Sequence, residues 1–129
     1  MSEMIKAGAA LWHDLTVEDA GEVSSFYEKV IGWKKQPVSM GDYDDYNMNN
    51  PADGETQAGV CHARGGNAKI PPQWMIYFAV ENVDKSAAMV EQNGGEIIIA
   101  PKDIGEYGRY CIIKDPAGAV CALITPPKS

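Results

Sequence analysis

The sequence predicts an α+β fold in which one strand–helix–three-strand unit (βαβββ) is used twice. Three observations predict it. The stretch Trp12-His13-Asp14-Leu15-Thr16-Val17-Glu18-Asp19 has a weak copy 63 residues along, Met75-Ile76-Tyr77-Phe78-Ala79-Val80-Glu81-Asn82. Val17-Glu18-Asp19-Ala20 matches Val80-Glu81-Asn82-Val83 at that same offset. Each copy leads into a helical stretch that stops on glycine, at Gly32 and at Gly94-Gly95. A unit used twice in one small domain suggests two half-sites facing one cleft.

The elements follow in order. Residues 8 to 16 read as a strand. Ala20 to Ile31 reads as a helix, because Val23, Phe26, Tyr27, Val30 and Ile31 fall on one helical face. Asp19 with Glu22 three residues on is a capping pair. Strand signals follow at 33–39, 43–49 and 56–62, divided by the turn residues Gly41-Asp42 and Asn50-Pro51-Ala52-Asp53-Gly54. Residues 63–72 form a linker by composition. The pattern then restarts. Gln73 to Val80 is a strand, Asp84 to Asn93 a short helix and Glu96 to Ala100 an apolar strand. Tyr107 to Lys114 and Ala119 to Thr125 form a hairpin around Asp115-Pro116-Ala117-Gly118. Module one thus spans about 8–62 and module two about 73–125, within a single domain over residues 1–129.

Composition narrows the function classes. A chain of 129 residues with 45% apolar and 22% charged residues fits one globular core. The apolar runs are too short for a membrane span, and no signal peptide is visible, so the expected location is the cytoplasm. A net charge of −7 disfavours binding to nucleic-acid phosphates, and no basic cluster exceeds Lys34-Lys35. Cys61, Cys111 and Cys121 lack C-x-x-C spacing and read as reduced, packed thiols. Gly65-Gly66 lacks the Lys-Ser/Thr of a phosphate loop. The Asp/Asn-rich stretch 41–54 lacks the spacing and closing Glu of a calcium loop.

Several short motifs in order carry a resemblance. They are Trp12-x-Asp14-Leu15-x-x-x-Asp19, Phe26-Tyr27, Gly32-Trp33, Pro72-x-Trp74-x-x-Tyr77, Gly94-Gly95, Gly108-Arg109-Tyr110 and Asp115-Pro116-x-Gly118. Over about residues 8–125 the chain resembles the vicinal oxygen chelate superfamily of glyoxalase I, bleomycin-resistance proteins and extradiol dioxygenases. The resemblance is to its branch of small, glyoxalase-like bacterial proteins. It implies two βαβββ modules whose curved mixed sheets form a shared cup, and it implies a homodimer. It also implies a divalent metal held by four His, Gln or Glu side chains, which polarises two substrate oxygens.

Carried over by spacing, the four ligand positions fall on Trp12, His62, Met75 and Ala122. The position at His62 follows if Val60-Cys61-His62 matches Val120-Cys121-Ala122. At most one of the four can ligate a divalent ion, since Trp and Ala offer no donor and Met suits soft ions. The expected metal set is therefore empty, and no cofactor is expected. Strand alternation from Trp12 adds Asp14 and Thr16 to the cup, and from Met75 adds Tyr77 and Ala79. The other set, Leu11, His13, Leu15, Trp74, Ile76, Phe78 and Val80, faces the helices and is mostly apolar. In the last hairpin the turn register decides between Tyr110 with Ile112 and Arg109 with Cys111; a loop ending in a Gly118 bulge favours Tyr110.

The expected ligand-binding residues are Trp12, Asp14, His62, Met75, Tyr77, Tyr110 and Ala122. Aromatic and thioether walls with few polar groups suit a small apolar or aromatic molecule. Trp12 would stack a planar ligand; Tyr77 and Asp14 would orient it. The leading expectation is a metal-free, small-molecule-binding protein of the glyoxalase/bleomycin-resistance type. Two alternatives stay open: a metal-dependent lyase or dioxygenase with ligands shifted to His13, His62 and Asp14, and a non-catalytic regulatory or interaction domain.

Overall fold

A computed structural model describes residues 6–127. Among them are eight strands and two α-helices: β1 (Ala10–Val17), α1 (Ala20–Ile31), β2 (Lys34–Ser39), β3 (Asp44–Asn49), β4 (Thr56–His62), β5 (Trp74–Ala79), α2 (Val83–Val90), β6 (Glu96–Asp103), β7 (Arg109–Lys114) and β8 (Val120–Thr125). The order is βαβββ twice, as the repeat predicts. The chain forms two compact units, residues 13–74 and residues 6–12 with 75–127.

In the unit of residues 13–74 the strand order is β2-β3-β4-β1. β1 runs parallel to β4, with Asp14 opposite Gly59 and Val17 opposite His62. β2–β3 and β3–β4 are antiparallel. α1 begins where the Asp19 carboxylate accepts the Glu22 N–H at 3.0 Å. It ends at Gly32, whose φ of 92° puts it in the left-handed region open to glycine. Ala20, Met48 and Val60 form the core, packed by Val17, Val23, Tyr27, Trp33, Tyr46 and Trp74. The Trp74 indole N–H donates to the Tyr27 hydroxyl at 3.1 Å. The apolar stripe of α1 is wider than the face the sheet covers. Val23 and Tyr27 pack inward, whereas Phe26, Val30 and Ile31 are exposed.

In the second unit the order is β5-β8-β7-β6. β5 runs parallel to β8, with Tyr77 opposite Ala122. β7 pairs antiparallel with β8 and with β6. Gly8 and Ala9 bond Ala79 through N–H···O contacts of 2.7 and 2.8 Å. α2 is capped by Asn82, whose side chain accepts the Lys85 N–H at 3.1 Å. The Arg109 guanidinium binds Asp84 of α2 through two N–H groups, at 2.8 and 3.0 Å, and Asp103 of β6 at 3.2 Å. This fork ties the helix to the sheet.

Element ends depart from the sequence reading by one to three residues: β1 is Ala10–Val17 rather than 8 to 16, and the second unit shows the larger shifts. α2 starts at Val83 and gives way to a 3₁₀ turn at Glu91–Asn93, because Gly94 ends the chain's turn in left-handed geometry. β6 runs through Pro101 to Asp103 rather than stopping at Ala100. Proline is tolerated there because β6 is the edge strand and its register shifts between Ile99 and Lys102. β7 begins at Arg109, after a 3₁₀ turn at Gly105–Tyr107. Gly108 holds φ 110° and ψ −140° there, and a Cβ would run into the Thr125 carbonyl oxygen.

Candidate functional site

The face of the second sheet turned away from α2 is set by one contact. Arg109 reaches Asp84 on α2, so Arg109 and, two residues on, Cys111 point to the helix side. Tyr110 and Ile112 therefore point away from it. Ile112 lies opposite Ala122, Tyr110 opposite Ile124, and Tyr77 opposite Ala122. Met75, two residues from Tyr77, shares their face.

Two tyrosines define this face. The rings of Tyr77 and Tyr110 lie within 4° of parallel, with centroids 6.2 Å apart. They stand on the two strands that flank β8, where Ala122 lies opposite Tyr77 and Ile124 opposite Tyr110. Tyr110 is 6% exposed and Met75 1%, whereas Tyr77 is half-buried. Tyr110 is thus a fixed backing, and Tyr77 the more accessible ring. Trp12 belongs to the same unit and is half-buried.

The face of the first sheet turned away from α1 is polar. Val17 and Val60 pack under α1, so Asp14, Thr16, Gly59 and Cys61 alternate to the other side. Asp14 and Thr16 are buried. Burial raises the Cys61 thiol well above its ordinary range, and the carboxylates of Asp14 and Asp45 push it further the same way. Cys111 is pushed up to about 11, by burial first and then by Cys121. Cys121 is also raised by burial, with Asp115 adding to it. All three thiols stay protonated at neutral pH, which does not suit a nucleophile.

His62 lies elsewhere than the sequence matching placed it. It is paired with Val17 at the end of β4. Its Nδ1 is 3.5 Å from the Asp45 carboxylate, and its ring meets Tyr43 edge-on at 5.4 Å. The pair Asp14–Gly59 corresponds to Tyr77–Ala122 at the same 63-residue offset, so Gly59 and not His62 is the counterpart of Ala122. The earlier match slid β4 by three residues, and an odd slip exchanges the two faces of a strand.

These placements bear on the metal that the resemblance implies. The four equivalent positions hold Trp12, Gly59, Met75 and Ala122, none of which supplies a nitrogen or oxygen side-chain donor suited to a divalent ion. The shifted set fares no better: His13, next to Asp14 in β1, alternates to the opposite face. Among the described residues no group of three His, Cys, Asp or Glu could hold a metal ion. These residues do not fit a divalent metal.

A cleft of about 420 Å³ opens in the second unit, lined by Phe78, Ala79, Val80, Glu81, Asn82 and Lys85 among others. Sequence reasoning did not find it, and none of the expected binding residues lines it. Its helix N–H groups are already engaged: Lys85 N–H by Asn82 and Val83 N–H by the Thr125 hydroxyl. It offers little for chemistry.

Two βαβββ halves with this residue set define a class. The chain belongs to the Glyoxalase/Bleomycin resistance protein/Dioxygenase superfamily, whose family profile matches residues 9–123. Among its relatives is the anthracycline biosynthesis protein DnrV of Streptomyces peucetius, 32% identical over 131 residues. That match covers 90% of this chain and 46% of DnrV. Another is CFP32 of Mycobacterium tuberculosis, whose name assigns it provisionally to the glyoxylases. It is 28% identical over 121 residues, covering 94% of this chain and 45% of CFP32. The chain spans about half the length of these relatives.

Solved structures agree on the fold. The methylmalonyl-CoA epimerase of Mycobacterium tuberculosis superposes with a TM-score of 0.58 at 13% identity, covering 98% of this chain and 94% of that one. A variant of the Streptomyces coelicolor methylmalonyl-CoA epimerase, in complex with 2-nitronate-propionyl-CoA, gives 0.56 at 16% identity, covering 95% and 100%. No helix among the described residues is long and apolar enough to cross a membrane.

Proposed function

We propose that this chain binds a small, planar aromatic molecule on the Tyr77–Tyr110 face, without a metal. One observation carries the reading: two parallel tyrosine rings, 6.2 Å apart and 4° from coplanar orientation, beside the small Ala122. Parallel rings present extended π-faces, and a flat aromatic gains offset stacking on the half-buried Tyr77. Met75 supplies a polarizable wall. Trp12, in the same unit, adds a second stacking surface in this proposal. The name of DnrV, which ties that relative to anthracycline biosynthesis, supports an aromatic ligand here. The donor-poor ligand positions support binding without metal. In the same proposal the chain works in the cytoplasm as a homodimer, which light scattering tests by mass.

The burial of Met75, Ile112 and Ala122 favours a second reading, a filled, non-catalytic regulatory or interaction domain. Thermal unfolding separates the readings. Ligands that bind only the native state raise the melting temperature by mass action. Tag-free protein is melted in EDTA, then with nickel, zinc, iron or manganese, then with anthraquinone in EDTA. The proposal expects a response to anthraquinone alone. No aromatic response favours the filled domain. A loss in EDTA that a metal restores overturns the metal-free reading.

A further inference from the structure

We infer that the aromatic ligand carries an anionic oxygen, a carboxylate or phenolate, and that Lys102 meets it; this deepens the proposed function and rests on it. Lys102 lies directly opposite Tyr110 in the β6–β7 ladder, so the two share a face. Its ammonium stands 5.9 Å from the Tyr110 ring centroid, at the outer limit of a cation–π contact. It is exposed, and it is held by no carboxylate among the described residues within ion-pair distance. The neighbouring Asp103 is committed to Arg109, at 3.2 Å on the other side of the strand. A loosely held cation therefore borders the paired rings.

Charge elsewhere sharpens the point. With a net charge of −7, the chain as a whole repels anions, so any preference for one must come from a local cation. The other lysine on this face, Lys114, is four residues further along β7 from Tyr110 and lies opposite Glu96. It has a carboxylate across the ladder and is about 13 Å along the strand from Tyr110. Lys102 is thus the cation placed to select an anionic substituent, and Lys114 is an internal control.

The test pairs two probes of one shape, anthraquinone-2-carboxylate and anthraquinone-2-carboxamide, titrated calorimetrically in EDTA. Wild-type protein is expected to bind the carboxylate about fivefold more tightly, the size of a favourable exposed charge contact. Lys102→Gln is expected to abolish that difference while leaving the carboxamide unchanged. Lys114→Gln is expected to leave both affinities unchanged, and added salt to erode the preference. Equal binding of the two probes by wild-type protein overturns the inference and leaves the aromatic site standing. So does a Lys102→Gln variant that loses both probes equally. Failure of both probes to bind wild-type protein overturns the site itself.

Discussion

Replacing Tyr77 and Tyr110 by leucine, singly and together, measures whether the ring pair acts as a unit. Leucine keeps much of the buried volume and removes the ring face, so the fold survives the change. Tyr110 is 6% exposed, and a shape change at such a site costs about 1–3 kcal/mol. Tyr77 is half-buried, so its single substitution costs about 1 kcal/mol. The rings are within the distance at which aromatic pairs add about 0.5–1.5 kcal/mol beyond burial. The double variant should therefore be more stable than the sum of the two losses predicts, by about 1 kcal/mol. Urea unfolding followed by far-UV circular dichroism gives the four free energies at matched slopes. Additivity within about 0.3 kcal/mol would refute the idea of a coupled pair. It would also remove the geometric ground for a stacking ligand.

The remaining predictions concern the scaffold. Gly108→Ala, at φ 110° and against the Thr125 carbonyl, should cost at least about 2 kcal/mol in urea unfolding; a neutral result would mean that the turn relaxes freely. Met48→Ala empties a site of 0% exposure and should cost about 2–5 kcal/mol, read by thermal melting. The hydrogen bonds from Arg109 hold the Asp84 carboxyl below its ordinary value, so its stabilising contribution is complete above that value and is lost as pH falls through the lowered one. Asp84→Asn should accordingly shift the urea midpoint at pH 7, and the difference from wild type should shrink as the pH falls through the lowered value. The Cys61 thiol is raised, so its folded form resists ionising and stability should decline as pH climbs past the ordinary thiol value. Cys61→Ser should flatten that alkaline slope, and an unchanged slope would assign it to another group.

Much of the fold was legible because local and global signals agree. The Asp19–Glu22 cap and Gly32 define α1 to the residue, and the 63-residue echo aligns β1 with β5. What misled was register. Val60-Cys61-His62 and Val120-Cys121-Ala122 look alike in type, since both join a valine and a cysteine. Only the pairing of Asp14 with Gly59 shows that Gly59 holds the position of Ala122. Strand type survives such a slip, but side-chain direction does not. The Tyr77–Tyr110 pair could be inferred from the Gly118 turn, but its parallel geometry could not, because it depends on two strands separated by β8. Lys102 stayed hidden for another reason: β6 was read as ending at Ala100, and the edge-strand shift past Pro101 is invisible to periodicity. The exposed Phe26, Val30 and Ile31 show the limit of an amphipathic stripe, which gives a helix its core face without fixing that face's width.

The central claim is that the Tyr77–Tyr110 face takes a planar aromatic without metal. Methyl NMR tests it most directly, with labelled methionine and alanine methyls, EDTA present and anthraquinone-2-carboxylate titrated in. The account predicts shifts at Met75 and Ala122 together, with Met48 and Met89 unmoved. Shifts at Ala79 with Met75 and Ala122 unmoved, or shifts that need added zinc or nickel, would contradict it.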